Sequence, residues 1–288
     1  MNFVFNDSKA KHLGSGVVLF ENAITFDSVW ACDVSEKQVS DEQKEMYTEA
    51  IDPETGKAAF LNKSGYYFDA DGVRNMPRRG SKIHRNEDKG VIEFLNFMEE
   101  SKDKYLLKYF LLFPIAYKNV WWKVKGHIVS YSSEHGGTFL GSHSDTSADY
   151  SYGFPHPVDQ LATRNTVSCI VYLNDNFEGG QHYFNYLDIE YTPKVGDILM
   201  FPSNYMAAHE VRPIISGSRY TYLGWYSHGS PNTDYNESVE DPEKNPDSAR
   251  YATNVYMTNL RKDFKKLLDS MGQDAPRHAV ALVESMHS

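Results

Sequence analysis

Four residues of this 288-residue chain are of types that could do chemistry together: His143, Asp145, His209 and Arg219. His143-Ser-Asp145 places an imidazole and a carboxylate at i and i+2, the spacing that returns two side chains to one side of an extended strand or its exit loop. His209 lies far along the chain and has to be brought back by the fold. Two imidazoles and one carboxylate form the donor set that takes one face of an octahedral ferrous ion and leaves three positions open. Those open positions would admit a cosubstrate and dioxygen. An HxD pair arises easily by chance in a chain with 11 histidines, so the segments around it decide its meaning.

Those segments read as strands and turns in a consistent order. His127-Ile-Val-Ser-Tyr131 leads toward the pair, and Arg164 to Asn174, dense in β-branched and aromatic residues, follows it. Phe177-Glu-Gly-Gly180, Pro193-Lys-Val-Gly-Asp197-Ile-Leu-Met-Phe-Pro202, His209-Glu-Val211 and Arg219 to Trp225 come next. Strand, turn and candidate ligand recur in an order that suits one antiparallel barrel or sandwich.

With these motifs in place, the stretch from about 120 to 228 resembles the iron(II)- and 2-oxoglutarate-dependent dioxygenases, and most closely their prolyl 4-hydroxylase-like branch. The resemblance rests on a tyrosine-ending strand before HxD, a YLN…GG segment, a P…GD…FP segment, and H-x-V-x-P…G-x-R-Y…W, all in order. It implies a mainly β fold with flanking helices: a double-stranded β-helix (jelly-roll, cupin-like) core buttressed by N-terminal and C-terminal helices. It implies His143, Asp145 and His209 as iron ligands and Arg219 as the residue receiving the distal carboxylate of 2-oxoglutarate. A guanidinium suits that task because its planar fork meets a carboxylate with two parallel hydrogen bonds. Many members of the branch use Lys there, so Arg219 is a variation found in the wider superfamily. Tyr131 matches a tyrosine that often donates to the same carboxylate. Thr221, two residues beyond Arg219 on the same strand face, would add a second hydroxyl; ordinary strand packing is an equal reading for both. The implied cofactors are Fe(2+), 2-oxoglutarate as cosubstrate and O2, with ascorbate as an accessory reductant. Because Asp145 is present, hydroxylation is expected over the chemistry of the related halogenases, which lack this carboxylate.

The chain reads as a single elaborated dioxygenase domain over 1–288. Residues 1–119 form an N-terminal strand, loop and helix support, 120–228 the jelly-roll catalytic core, and 229–288 a linker and C-terminal helical extension. Hydrophobic residues make up 41% of it, enough for a real core. A net charge of −10 disfavours nucleic acid as a partner. Cys32 and Cys169 are its only cysteines, without a disulfide framework, which suits a reducing cytosol. The N-terminus lacks a basic start followed by an apolar run, and no 18-residue apolar stretch occurs, so a cytoplasmic protein without a membrane segment is expected.

Around the core the reading is coarser. Val17–Phe20 is a strand and Phe26–Cys32 a short helix, whereas Ser35–Lys89 turns polar and irregular, with turns at Asp52–Gly56 and Asp69–Gly72. Pro77–Arg85 is the one basic cluster and reads as a solvated loop in preference to a substrate contact. Apolar residues recur at helical spacing from Gly90 to Phe113, broken by the polar Ser101–Lys104, so one long or two abutting helices are expected, ended by Pro114. Residues 146–163, rich in aromatics, Gly and Pro, leave directly from a candidate ligand and form the candidate lid, with Tyr150, Tyr152 and Phe154 closing the pocket. His182 is expected within reach of the site without ligating the metal. A final helix is expected from Asp247 or Ser248 to Gly272, with Arg261, Lys262, Lys265 and Lys266 on its wet face. The substrate expected first is a peptide or protein, with proline as the residue oxidised. A free amino acid or small metabolite is the alternative among enzymes, and a catalytically silent jelly-roll binding module the alternative of another class.

Overall fold

The computed structural model describes residues 2–63, 65–70, 73, 77–133, 139–146, 165–228 and 254–271. Strands β1 (Val4–Phe5), β2 (Ala10–Gly14), β3 (Val17–Phe20) and β4 (Ile24–Thr25) precede helix α1 (Ser28–Met46). Then come β5 (Tyr47–Ile51), β6 (Ala58–Asn62), β7 (Tyr67–Asp69), β8 (Arg78–Gly80), a 3-10 turn at Ser81–Arg85, the long helix α2 (Lys89–Leu112) and the short α3 (Pro114–Asn119). The core is built from β9 (Trp122–Ser132), β10 (Leu140–His143), β11 (Asn165–Tyr172), β12 (Glu178–Gly179), β13 (His182–Phe184), β14 (Ile189–Tyr191), β15 (Ile198–Pro202), β16 (His209–Val211), β17 (Ile214–Ser216) and β18 (Ser218–Ser227). Strand β19 (Asn254–Tyr256) and helix α4 (Thr258–Met271) close the described chain.

Within the core, β9-β18-β11-β15 lie side by side in a large sheet and β10-β16-β13-β14 in a smaller one, with antiparallel pairing throughout. The chain changes sheet between β9 and β10, β10 and β11, β11 and β13, β14 and β15, β15 and β16, and β16 and β18. That alternation makes a jelly roll, the double-stranded β-helix expected from the motif order. Strands β3 and β2 extend the large sheet beyond β15, and β8 pairs with β9 at its other side.

The large sheet is buried on both faces, and from Val167 to Tyr172 β11 is apolar except for Ser168. Its inner face sends Ile170, Tyr172, Leu199 and Phe201 against Phe184 and Tyr191 of the small sheet. Its outer face sends Val167, Cys169, Val171, Ile198 and Met200 against Phe94, Met98, Tyr105 and Phe110 of α2. The N-terminus of α2 is capped by Asp88, whose side chain accepts from Val91 N at 3.0 Å.

Several elements differ from expectation for identifiable reasons. Helix α1 runs on to Met46 through a stretch that reads as irregular, because its buried positions Ala31, Ser35, Val39 and Glu42 keep helical spacing but two of them are polar. The polar stretch after it contains the three-stranded sheet β5-β6-β7. The Asp52–Gly56 turn forms as expected, with Gly56 N donating to Asp52 O at 2.8 Å; Asp71 and Gly72 lie outside the described residues. Helix α2 is continuous through Ser101, whose hydroxyl donates back to Phe97 O at 2.6 Å. Pro114 ends it but also starts α3. Residues 254–256, expected to be helical, instead add a strand to β9, and α4 begins at Thr258. Arg261 is not part of a wet face: its guanidinium lies 3.5 Å from the Trp121 ring centre, and Nη1 donates to Tyr117 O at 2.6 Å and to Val120 O.

One polar cluster clamps α2 to the sheet. Lys102, fully buried, meets Glu99 Oε1 at 3.0 Å, while Lys123 meets Glu99 Oε2 at 3.3 Å and Asp103 Oδ2 at 2.7 Å. Glu99 also accepts from Gly126 N at 2.8 Å and Tyr222 Oη at 2.7 Å. Burial alone would raise the Glu99 carboxyl, but Lys102 and Lys123 pull it well below the usual range. Gly224 makes room for the ammonium, since a Cβ there would stand 2.2 Å from Lys102 Nζ. Replacing Glu99 by Ala leaves two partly or fully buried cations with less compensation. The expected loss is about 3–5 kcal/mol of unfolding free energy, measured by urea denaturation at neutral pH.

Candidate metal centre

The site begins with register. In the antiparallel pair β10–β16, His143 and His209 are direct Cα partners, so both imidazoles leave the same face of the small sheet with ring centres 4.4 Å apart. Each ring is fixed by the backbone behind it. His143 Nδ1 lies 2.9 Å from Gly141 O, and His209 Nδ1 lies 3.1 Å from Ala207 O. A carbonyl only accepts, so Nδ1 carries the hydrogen in both rings and each Nε2 lone pair is left for a ligand.

Asp145 sits just past the end of β10. Its main-chain oxygen accepts from Asn165 Nδ2 at 2.9 Å, and the next residue, Thr146, donates its hydroxyl to Ser203 O at 2.6 Å. Ser168 on β11 donates to Asp145 Oδ2 at 2.6 Å and lies 2.9 Å from Ser203 Oγ. One carboxylate oxygen is thereby committed. The other, Oδ1, stands 3.4 Å from His143 Nε2 and 3.9 Å from His209 Nε2. One ligand atom from each of the three residues falls within 4.8 Å of the others. Two ligands each about 2.1 Å from a shared ion, at right angles, are about 3 Å apart, so small rearrangements suffice to bind a divalent metal.

The electrostatics favour the same occupant. Burial would raise the Asp145 carboxyl, but the His143 hydrogen bond, the His209 ring and the Ser168 hydroxyl hold it down at about 2. Burial draws His209 down to about 4, so this ring is neutral at physiological pH. For His143, burial acts downward but the bond to Asp145 outweighs it and the pKa is raised. A metal therefore competes chiefly with a proton on His143.

Arg219 enters from β18 opposite Tyr131 of β9 and is 1% exposed. Its guanidinium carbon lies 5.2 Å from the ring centres of both Tyr131 and Tyr172. Gly179 and Gly180, both with positive φ, bring the chain close to it; a Cβ on Gly180 would lie 3.4 Å from Arg219 Cδ. Among the described residues, Arg219 Nε and Nη1, the Tyr172 hydroxyl and both ring nitrogens of His182 are buried without a hydrogen-bond partner. Each such group costs about 1–3 kcal/mol when left unmet, and more when charged. A cradle of this kind fits a carboxylate.

The structure brings His143, Asp145, His209, Tyr131 and Arg219 into one interior. Thr221 shares the Arg219 face, and its hydroxyl is 3.4 Å from Val129 O. His182 stacks on His209 with ring centres 4.6 Å apart and 20° between planes, so it adjoins the triad without joining it. Ser168 and Tyr172 were not singled out in the sequence. Both alternate with Ile170 along β11 on the inner face, a period-2 signal that was available. Tyr150, Tyr152, Phe154, His156 and His135 lie outside the described residues.

Comparison with known proteins points the same way. Residues 126–227 match the family model of the 2OG-Fe(II) oxygenase superfamily. A PKHD-type hydroxylase of Colwellia psychrerythraea (strain 34H / ATCC BAA-681) is 30% identical over 118 residues, covering 40% of this chain and 48% of that protein. The chain thus matches about half the length of this curated relative. Among solved structures, a viral collagen prolyl hydroxylase from Paramecium Bursaria Chlorella virus-1 is 12% identical with a TM-score of 0.45, covering 75% of this chain and 98% of that one. A Pseudomonas putida prolyl-4-hydroxylase is 17% identical with a TM-score of 0.42, covering 75% and 94%. Residues 126–227 are thus similar to the 2OG-Fe(II) oxygenase superfamily, and their motif order resembles the prolyl 4-hydroxylase-like branch. The cofactors this family implies are Fe(II), 2-oxoglutarate and dioxygen. Among the described residues, no helix is long and apolar enough to cross a membrane.

Removing the hydroxyl behind Asp145 with Ser168→Ala is expected to weaken divalent-metal binding by about ten- to a hundredfold, read by calorimetric titration with Mn(II). Because the His143 pKa is raised, metal affinity of the unsubstituted protein should fall as pH drops through that titration, with proton release on binding measurable in buffers of different ionisation enthalpy.

Proposed function

We propose that this protein is a 2-oxoglutarate-dependent hydroxylase that oxidises an unactivated C–H bond of a peptidyl residue, with proline as the first choice. The observation that carries the reading is the convergence of two oriented imidazoles and one carboxylate in the same interior as a buried guanidinium whose Nε and Nη1 are unmet. His143, Asp145 and His209 would hold Fe(II). Arg219 would receive the distal carboxylate of 2-oxoglutarate through its unmet Nε and Nη1, with Tyr131 beside it and Thr221 on the same strand face. Fe(II), 2-oxoglutarate and O2 together supply the oxidising power: one oxygen atom goes to the substrate C–H and one to succinate, with loss of CO2.

The residues of the chain do the rest. Gly141 O and Ala207 O hold the imidazole tautomers, and Ser168 holds the carboxylate. Phe184 and Phe201, packed against His209 with ring centres 5.8 and 4.8 Å away, keep water from that side of the site. The hydroxylase name of the Colwellia relative and the branch-specific motif order support hydroxylation. A free amino acid or small metabolite is the second reading for the substrate. A silent binding module is disfavoured, since it has no use for a complete triad together with a buried guanidinium that keeps two nitrogens unmet.

The test is anaerobic addition of Fe(II) and 2-oxoglutarate, observing the weak visible charge-transfer band of the chelate. His143→Ala should abolish the band. Arg219→Ala should keep it but need about a hundredfold more 2-oxoglutarate, the equivalent of about 3 kcal/mol in charged hydrogen bonding. A band unaltered by both substitutions would refute the assignment.

A further inference from the structure

The basic cluster at Pro77–Arg85 is not a free loop. Its first part is β8, which extends the large sheet past β9 with Arg78 opposite Ser130, Arg79 opposite Val129 and Gly80 opposite Ile128. Side chains opposite one another share a face. Arg78 therefore points to the outer side, where it forms a two-point contact with Glu36 at 2.7 and 2.8 Å and reaches Ser130 Oγ at 3.2 Å. Arg79 falls on the side of Val129, which packs inward with Tyr131, Val211 and Ile214. The sheet thus carries a guanidinium to the rim of the jelly-roll interior, on the face that Val129 shares with Tyr131. Arg79 is exposed and makes no hydrogen bond or ion pair with any described residue.

Beside it lies a cavity of about 670 Å³ between α1, β8 and the barrel rim, walled by Met46, Arg79, Leu140, Trp225 and His127. This is the size range of ligand pockets. The His127 and Trp225 rings form one wall, 5.2 Å apart at 37°. Trp225 Nε1 is a buried donor without an acceptor. Glu42 also faces the cavity, but its oxygens are engaged by the Ser81 hydroxyl and by Lys82 N at 3.0 Å. Arg78, the other cation of the lining, is neutralised by Glu36. What remains unmet is donor capacity beside an aromatic wall. Such a surface selects an anion attached to an apolar body.

We propose that this cavity is the substrate pocket and that Arg79 binds a carboxylate of the substrate, selecting carboxylate-bearing substrates over their neutral amides. The proposal rests on the hydroxylase reading above and names the substrate class for the same site. The carboxylate could be an acidic side chain of a peptide or the α-carboxylate of a free amino acid, and the experiment separates the two.

The full chain is loaded with Zn(II) and 2-oxoglutarate, which keeps it catalytically inert, and binding is followed by calorimetry. Two probe pairs are compared: the peptide (Pro-Pro-Glu)3 with (Pro-Pro-Gln)3, and L-proline with L-prolinamide. In at least one pair the carboxylate member should bind about tenfold or more tightly than the amide. That advantage should disappear in Arg79→Ala and reverse in Arg79→Glu, while both variants still bind 2-oxoglutarate. A preference in the peptide pair identifies a side-chain carboxylate, and one in the proline pair identifies an α-carboxylate. No preference in either pair, including no binding by any probe, overturns the proposal, as does a preference that survives Arg79→Ala. Failure of the unsubstituted chain to bind 2-oxoglutarate would instead strike the hydroxylase reading, whatever the probes do.

Discussion

The register between β10 and β16 is the constraint from which the site follows. Because His143 and His209 are direct partners across an antiparallel ladder, the backbone sets the imidazole pair at a short separation before any metal arrives. A slip of one residue would turn His209 to the other face and put its neighbours Ala208 or Glu210 in its place. The register is secured from both sides of β16, which also pairs with β13 through Phe184 and His209. Phe184 and Phe201 then pack around the His209 ring, so the same contacts that fill the interior also aim the ligand.

The large sheet does two jobs with its two faces. Outward, it presents apolar side chains and a buried charge cluster to α2, which anchors the sheet. Inward, the same strands present Ser168, Tyr172, Tyr131 and Arg219, whose polar atoms carry a desolvation cost. The stability supplied by the outer face is what allows the inner face to keep polar atoms without protein partners. Arg219 Nε and Nη1 and the Tyr172 hydroxyl are such atoms, and both ring nitrogens of His182, on β13 of the small sheet, are likewise unmet. A fold selected only for stability would have replaced them with aliphatic side chains.

Much of the core was legible in the sequence because its signals are local and redundant. The β-branched and aromatic density of Arg164 to Asn174, the Gly179-Gly180 segment and the ordered His143, Asp145, His209 and Arg219 each limit the topology on their own. The N-terminal support was harder to read. Helix α1 buries Ser35 and Glu42 as well as Ala31 and Val39, so its apolar period is interrupted where the helix is in fact continuous. Strand β8 has no strand signature in Arg-Arg-Gly, and it is held by an open edge of β9 that only the tertiary fold provides. Strand β19 is extended for the same reason, and its pairing displaced the expected start of α4. Ser168 shows the limit on site residues: alternation along β11 gives its face, but nothing in the local sequence pairs that serine with a carboxylate 23 positions earlier.

The account comes down to whether one interior holds both a metal and a dicarboxylate. The most direct measurement is anomalous diffraction from crystals loaded anaerobically with Mn(II) and 2-oxoglutarate. The account predicts one strong anomalous peak bonded to His143 Nε2, His209 Nε2 and Asp145 Oδ1, with the far carboxylate of 2-oxoglutarate on the Arg219 guanidinium. A metal bound elsewhere, or a dicarboxylate that leaves Arg219 unpaired, would contradict it.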